Sequence, residues 1–135
     1  MKTRNKEIKR NKDTGTPIER YKKSFFHAID GIVYAIEIEH NMLIIMLAFL
    51  LVSILCVVLP VSLTEIMIVV ILTGLVMITE FINTAIEAVV DLISPEINPL
   101  AKIAKDTASS ASLISSCVAL ICGIIIFLPK IIDLF

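Results

Sequence analysis

Three long apolar blocks, residues 42–63, 66–93 and 108–128, dominate the chain, and each holds a run able to cross about 30 Å of hydrocarbon at about 1.5 Å per residue. The pattern predicts three membrane-spanning helices. The connection from Pro60 to Glu65 permits only an antiparallel return. The second helix is expected to stop near Ser94-Pro95, and Asn98-Pro99 reads as a cap followed by proline that opens the third. Ahead of these blocks, Thr16-Pro17-Ile18-Glu19 has the form of a capping box with proline at the first helical position. The stretch that follows carries Ile18, Tyr21, Phe25, Ile29, Ile32 and Ile36 on one stripe, the mark of an amphipathic surface helix. The expected fold is therefore an all-α membrane protein. A basic tail of residues 1–15 precedes one integral-membrane domain, residues 16–135, with a surface helix over 16–38 and helices over 42–63, 66–93 and 99–128.

The exceptions to the apolar pattern carry the functional signal. Glu80, Asn83, Glu87 and Asp91 interrupt the second block and fall at roughly 0°, 300°, 340° and 20° around a helix, so they share one face. A charged side chain at a bilayer centre costs at least about 2.5 kcal/mol, and a function or a buried partner is the usual reason for keeping one. Counted from Glu65 at about 1.5 Å per residue, Glu80 lies about 22 Å along the helix and Glu87 about 33 Å. Glu80 is thus expected just inside the far boundary of the hydrocarbon and Glu87 at or above it. Glu39 precedes the first span and belongs at the same boundary. Ala108, Ser109, Ala111, Ser112, Ser115 and Ser116 give the third helix a small-residue face suited to close packing, with Ser109 expected nearest the acidic face.

Charge assigns the sides. Of the twelve Lys and Arg, all precede Met42 except Lys102, Lys105 and Lys130. The N-terminus and the second connection should therefore face the cytoplasm, and the C-terminus the outside, in a bacterial plasma membrane. The late start of the first apolar block argues against a cleaved signal peptide. A basic tail beside a membrane segment suits anionic headgroups, and no nucleic-acid partner is expected. Cys56, Cys117 and Cys122 show no metal or disulfide spacing and read as small buried apolar residues.

Glu39, Glu80 and Glu87, the Asn83 amide and the cations Arg20 and Lys105 meet at one depth. Hard oxygen donors suit Mg²⁺, which commonly takes one or two carboxylates and completes its shell with water and phosphate oxygens. Phosphoryl transfer needs such a cation clamp. No Walker A or other glycine-rich nucleotide loop occurs, because Gly15, Gly31, Gly74 and Gly123 are scattered. Three spans enclose little, so the site is expected between subunits. An oligomeric channel or scaffold whose acidic stripe lines a pore or packs helices is the competing reading.

The run Glu80-Phe-Ile-Asn83-Thr-Ala-Ile-Glu87-Ala-Val-Val-Asp91, with Ser94-Pro-Glu96, Leu100-Ala-Lys-Ile-Ala-Lys105-Asp106 and the Ala/Ser run after it, resembles the prokaryotic diacylglycerol kinase family. The resemblance extends from about Arg20 to Leu128, and its wording is more like the Gram-positive branch, whose usual substrate is undecaprenol. It implies a homotrimer that moves the γ-phosphate of MgATP to a lipid alcohol at the cytoplasmic interface. By position, Glu80 matches the proton acceptor, and Glu39 and Glu87 match magnesium-binding carboxylates that also approach ATP. Arg20, Lys105 and Asp106 match nucleotide contacts. The connection Glu96, Ile97 and Asn98 covers the nucleotide, and Asn83 and Ser109 line the site. His27 stands where an aromatic nucleotide contact is expected, and His40 and Leu43 replace basic residues found in many relatives. Undecaprenol is the expected acceptor and diacylglycerol the alternative.

Overall fold

The computed structural model describes residues 16–94 and 98–134, so the expected basic tail, residues 1–15, lies outside the described residues. Four helices follow in order: α1 (Pro17–Ile38), α2 (His40–Val58), α3 (Leu63–Ile93) and α4 (Pro99–Ile132). The last three are long and apolar enough to cross a membrane. The chain divides into a unit of residues 1–33 and a unit of residues 34–135.

The described part of the first unit is helical. Its start is the reciprocal cap expected at Thr16: the Thr16 amide donates to Glu19 Oε2 (2.8 Å) and the Glu19 amide donates to Thr16 Oγ1 (3.3 Å). The apolar stripe is solvent-exposed in the isolated chain, Tyr21 and Phe25 included.

In the second unit, α1 ends and α2 begins across the single residue Glu39, whose backbone is extended at φ −97° and ψ 113°. Both of its peptide groups stay bonded, because its amide donates to Ala35 O (3.0 Å) and its carbonyl accepts from the Met42 amide (3.1 Å). The carboxylate does not cap α2. It is left available for other partners.

The helix α2 stops at Val58, short of the Leu63 at which the apolar block ends. Pro60 excludes helical geometry at the residue before it, and Leu59 accordingly sits at φ −94° and ψ 154°. Ser62 then opens α3 by a capping box with Glu65, a motif the sequence contains but apolar patterning alone passes over. At about 1.5 Å per residue, α2 spans about 28 Å whereas α3 and α4 reach about 46 and 51 Å. The two longer helices therefore outrun the hydrocarbon thickness.

Most of the helix packing lies between α3 and α4, and α2 adds a smaller contact with α3. Leu59, Val69, Ile126 and Phe127 form an apolar cluster at the α2–α3 turn, joined by Val52, Leu55, Cys56, Val61 and Ile131. The helix α4 continues through Pro129 to Ile132, four residues beyond the expected end at Leu128. Proline at that position removes one helical hydrogen bond. Two contacts made by the next residues hold the final turn: Ile131 packs on the cluster, and Lys130 Nζ donates to Glu65 Oε1 at 2.7 Å. The segment after Leu128 thus closes the α3–α4 pair at the end beside the α2–α3 turn.

Replacing Lys130 by Ala leaves Glu65 without its cation and frees the last turn of α4. The variant is expected to melt several degrees below the parent in detergent, and Lys130→Arg to stay close to it, as circular dichroism on heating will test.

Candidate active site

At the other end of the α3–α4 pair the interior changes from apolar to polar. Glu80, Asn83 and Thr84 on α3 and Ser112 and Ser115 on α4 are all buried, with Glu80 only 2% exposed. Their sequence spacing explains this. Val76, Glu80, Asn83 and Thr84 recur at helical intervals, as do Ala108, Ser112 and Ser115, so each set forms one face of its helix.

Three polar contacts set the register of the two faces. Lys130 meets Glu65 at the end beside the α2–α3 turn, Thr79 Oγ1 and Ser115 Oγ lie 2.8 Å apart in the middle, and Lys105 Nζ lies 2.6 Å from Asp91 Oδ1 at the opposite end. Interhelical side-chain hydrogen bonds in lipid average about 0.6 kcal/mol, so register here rests on repetition more than on any single bond. This antiparallel alignment places Asn83 at the level of Ser112.

Exposure grades along the acidic face. Glu80 is buried, Glu87 half-buried and Asp91 exposed, in the order of their positions along α3. Asn83 Nδ2 donates to Glu87 Oε1 at 3.2 Å, and Thr84 Oγ1 donates to the Glu80 carbonyl at 3.0 Å. Glu39 belongs to the same neighbourhood. Burial pushes its carboxyl above the ordinary range, the negative charges of Glu87 and Glu80 push it further, and a hydrogen bond with Thr84 and the nearby His40 act in the opposite sense. Helix α3 and the break before α2 thus bring Glu39, Glu80 and Glu87 within electrostatic reach of one another.

Glu80 Oε1, Asn83 Oδ1 and Ser112 Oγ are buried and have no hydrogen-bond partner among the described residues. A buried polar atom left unpaired costs about 1–3 kcal/mol, and a site awaiting a ligand is one reason for keeping it. No group of three or more His, Cys, Asp or Glu side chains among the described residues is arranged to hold a metal ion by itself. The carboxylates could share a hard cation only with water or substrate oxygens completing its shell.

The other expected site residues fall in several places. Lys105 is committed to Asp91, and Asp106 to Lys102 one turn before it. Asn98 caps α4, its Oδ1 accepting from the Leu100 amide at 2.9 Å. Ser109 is exposed, whereas Ser112, one turn on, is buried facing α3. Arg20 and His27 are exposed on α1 in the first unit, with His27 Nδ1 3.8 Å from Asp30. Glu96 and Ile97 lie outside the described residues. Thr79 and Thr84 are the polar residues that sequence reading missed. Their signal was spacing: Thr84 lies four residues after Glu80, and Thr79 four before Asn83.

Residues 26–127 match the prokaryotic diacylglycerol kinase family. The chain is 39% identical over 120 residues to an undecaprenol kinase of Bacillus subtilis (strain 168), a match covering 89% of this chain and 98% of that protein. It is 48% identical over 61 residues to a diacylglycerol kinase of Synechocystis sp., covering 44% of this chain and 35% of that protein. The acidic face, the Lys105–Asp91 contact and the paired faces of α3 and α4 all fall inside the matched segment, and the chain belongs to the prokaryotic diacylglycerol kinase family.

Proposed function

We propose that this lipid kinase transfers the γ-phosphate of ATP, with Mg²⁺, to undecaprenol at the cytoplasmic face of a bacterial plasma membrane, yielding undecaprenyl phosphate. The observation that carries the reading is the graded acidic face of α3: a buried carboxylate with an unpartnered oxygen, continuing into half-buried and then exposed acids. Such a gradient lets an acceptor held in lipid meet a charged donor held in water. The choice of undecaprenol rests on the Bacillus subtilis relative, which the chain matches almost end to end, while the diacylglycerol kinase relative matches over a shorter stretch. Diacylglycerol is the alternative acceptor. Membership of a kinase family speaks against the channel or scaffold reading.

In this scheme Glu80 accepts the proton of the lipid hydroxyl as its oxygen attacks the γ-phosphorus. Burial keeps competing water from that carboxylate. Asn83, through its bond to Glu87, holds the second carboxylate in place. Glu39 and Glu87 are the residues that would hold Mg²⁺, and the upward push that negative neighbours exert on the Glu39 carboxyl supports this, since a cation offsets it. When bound, Mg²⁺ neutralises charge on the transferring phosphate. Lys105, set beside the acidic face by Asp91, Asp106 and Asn98 are the nucleotide-side residues of the described part of α4 and its cap; Arg20 and His27 on α1 are the further nucleotide positions that the resemblance implies. Ser109 completes the lining.

The assembly proposed is a homotrimer with sites between subunits, because three spans in one protomer enclose little and the resemblance implies a trimer. In it α1 lies in the headgroup layer, the N-terminus is cytoplasmic and the C-terminus faces outward, as the distribution of lysine and arginine requires.

Purified protein in detergent, given Mg²⁺, labelled ATP and a panel of lipid alcohols, is expected to label undecaprenol in preference to diacylglycerol. No label in any lipid from a folded sample would refute the kinase reading, and a preference for diacylglycerol would reassign the substrate. Glu80→Gln should lower turnover by about a thousandfold with nucleotide binding largely intact. Glu87→Gln and Glu39→Gln should weaken MgATP binding as well, by about tenfold or more, as titration calorimetry will measure. Equal loss of MgATP binding in all three variants would defeat this division of roles.

A further inference from the structure

We propose that Ser112 is a substrate-orienting residue whose hydroxyl donates a hydrogen bond to the oxygen of the acceptor alcohol held at Glu80. The inference rests on the kinase reading above. Its starting point is an irregularity among the hydroxyls. Thr79 Oγ1 can donate across to Ser115 Oγ, and Ser53, Thr73, Thr84, Thr107, Ser110 and Ser115 each donate to a carbonyl three or four residues back on their own helix. That is the default for such groups in an apolar setting. Ser112 is as buried as Ser115, at 8% and 6% exposed, yet its Oγ bonds to nothing among the described residues.

Its position explains what the free hydroxyl can do. The pairs Thr79–Ser115 and Asp91–Lys105 bracket it and set it at the level of Asn83, one turn nearer the acidic end of α3 than Glu80. The other orphaned atoms there, Glu80 Oε1 and Asn83 Oδ1, are acceptors, whereas a serine hydroxyl can donate. An alcohol O–H complements such a set. It donates its proton to the carboxylate and accepts from serine through one lone pair, leaving the other lone pair for phosphorus.

In the transfer, the alcohol oxygen bonds to the γ-phosphorus while the bond from that phosphorus to the bridging oxygen breaks. The alcohol proton passes to Glu80 and ADP leaves. Ser112 is chemically unchanged throughout. It holds the nucleophile in line.

The test compares the parent and Ser112→Ala, full length in mixed micelles, with undecaprenol and ATP varied in turn. The KM for undecaprenol is expected to rise about tenfold, the loss of about one hydrogen bond, while the KM for ATP stays within about twofold. The melting temperature should not fall, since an unpartnered hydroxyl contributes no bond to the fold. A purely structural serine predicts a lower melting temperature with an unaltered KM for undecaprenol, and that outcome overturns the proposal. So does a parallel rise in both KM values, which would signal general distortion. Should the parent itself phosphorylate no lipid, the kinase reading fails and this inference falls with it. A parent that is active beside an unaffected Ser112→Ala removes this inference alone.

Discussion

One constraint governs the second unit: Glu80, a carboxylate on a helix long and apolar enough to cross a membrane, is kept almost wholly buried. A carboxylate at the centre of a membrane helix costs about 2.5–3.5 kcal/mol on insertion scales, so it has to face protein. The helix α4 supplies that cover with Ala108, Ser112 and Ser115, residues small enough to let two backbones approach and polar enough to tolerate the acid. The cover works only in one register, and Glu65–Lys130, Thr79–Ser115 and Asp91–Lys105 together hold it.

The α3–α4 pair accordingly has two ends with different tasks. At the α2–α3 turn, Leu59, Val69, Ile126 and Phe127 close an ordinary apolar cluster that needs no partner. At the opposite end the interior is polar and incompletely bonded, with Glu80, Asn83 and Ser112 each leaving an atom unpaired. Stability gathers at one end and unsatisfied chemistry at the other. The helices α3 and α4 are both longer than α2, and the polar end lies in the part of the pair away from the α2–α3 turn. The break at Glu39 then turns its carboxylate toward that end instead of using it as a helix cap.

Exposed apolar side chains such as Val57, Leu92 and Leu113 cover the outside of the helices, the reverse of a soluble protein. That surface was fully legible in the sequence, because a run of more than eighteen apolar residues needs lipid whatever its neighbours are. So was the acidic face, since helical periodicity puts Glu80, Asn83, Glu87 and Asp91 together without knowledge of the fold. The capping box at Thr16, the stop before Pro60 and the cap at Asn98 are likewise local, each determined within four residues.

What the acidic face meets was not local. Ser109 and Ser112 are equivalent in composition and lie one turn apart, yet one is exposed and the other buried. Their sorting depends on the rotation of α4 about its axis, which contacts with α3 impose. Lys105 reads in the sequence as a lone cation, and the fold sets it beside Asp91 on another helix. Lys130 gave no signal until α4 ran through Pro129 to reach Glu65. Sequence alone therefore determined that an acidic face exists and on which helix, because those follow from periodicity and length. Only the tertiary structure decided which groups stand opposite that face and which of its atoms stay unpaired, because register and rotation between helices arise from packing across residues far apart in the chain.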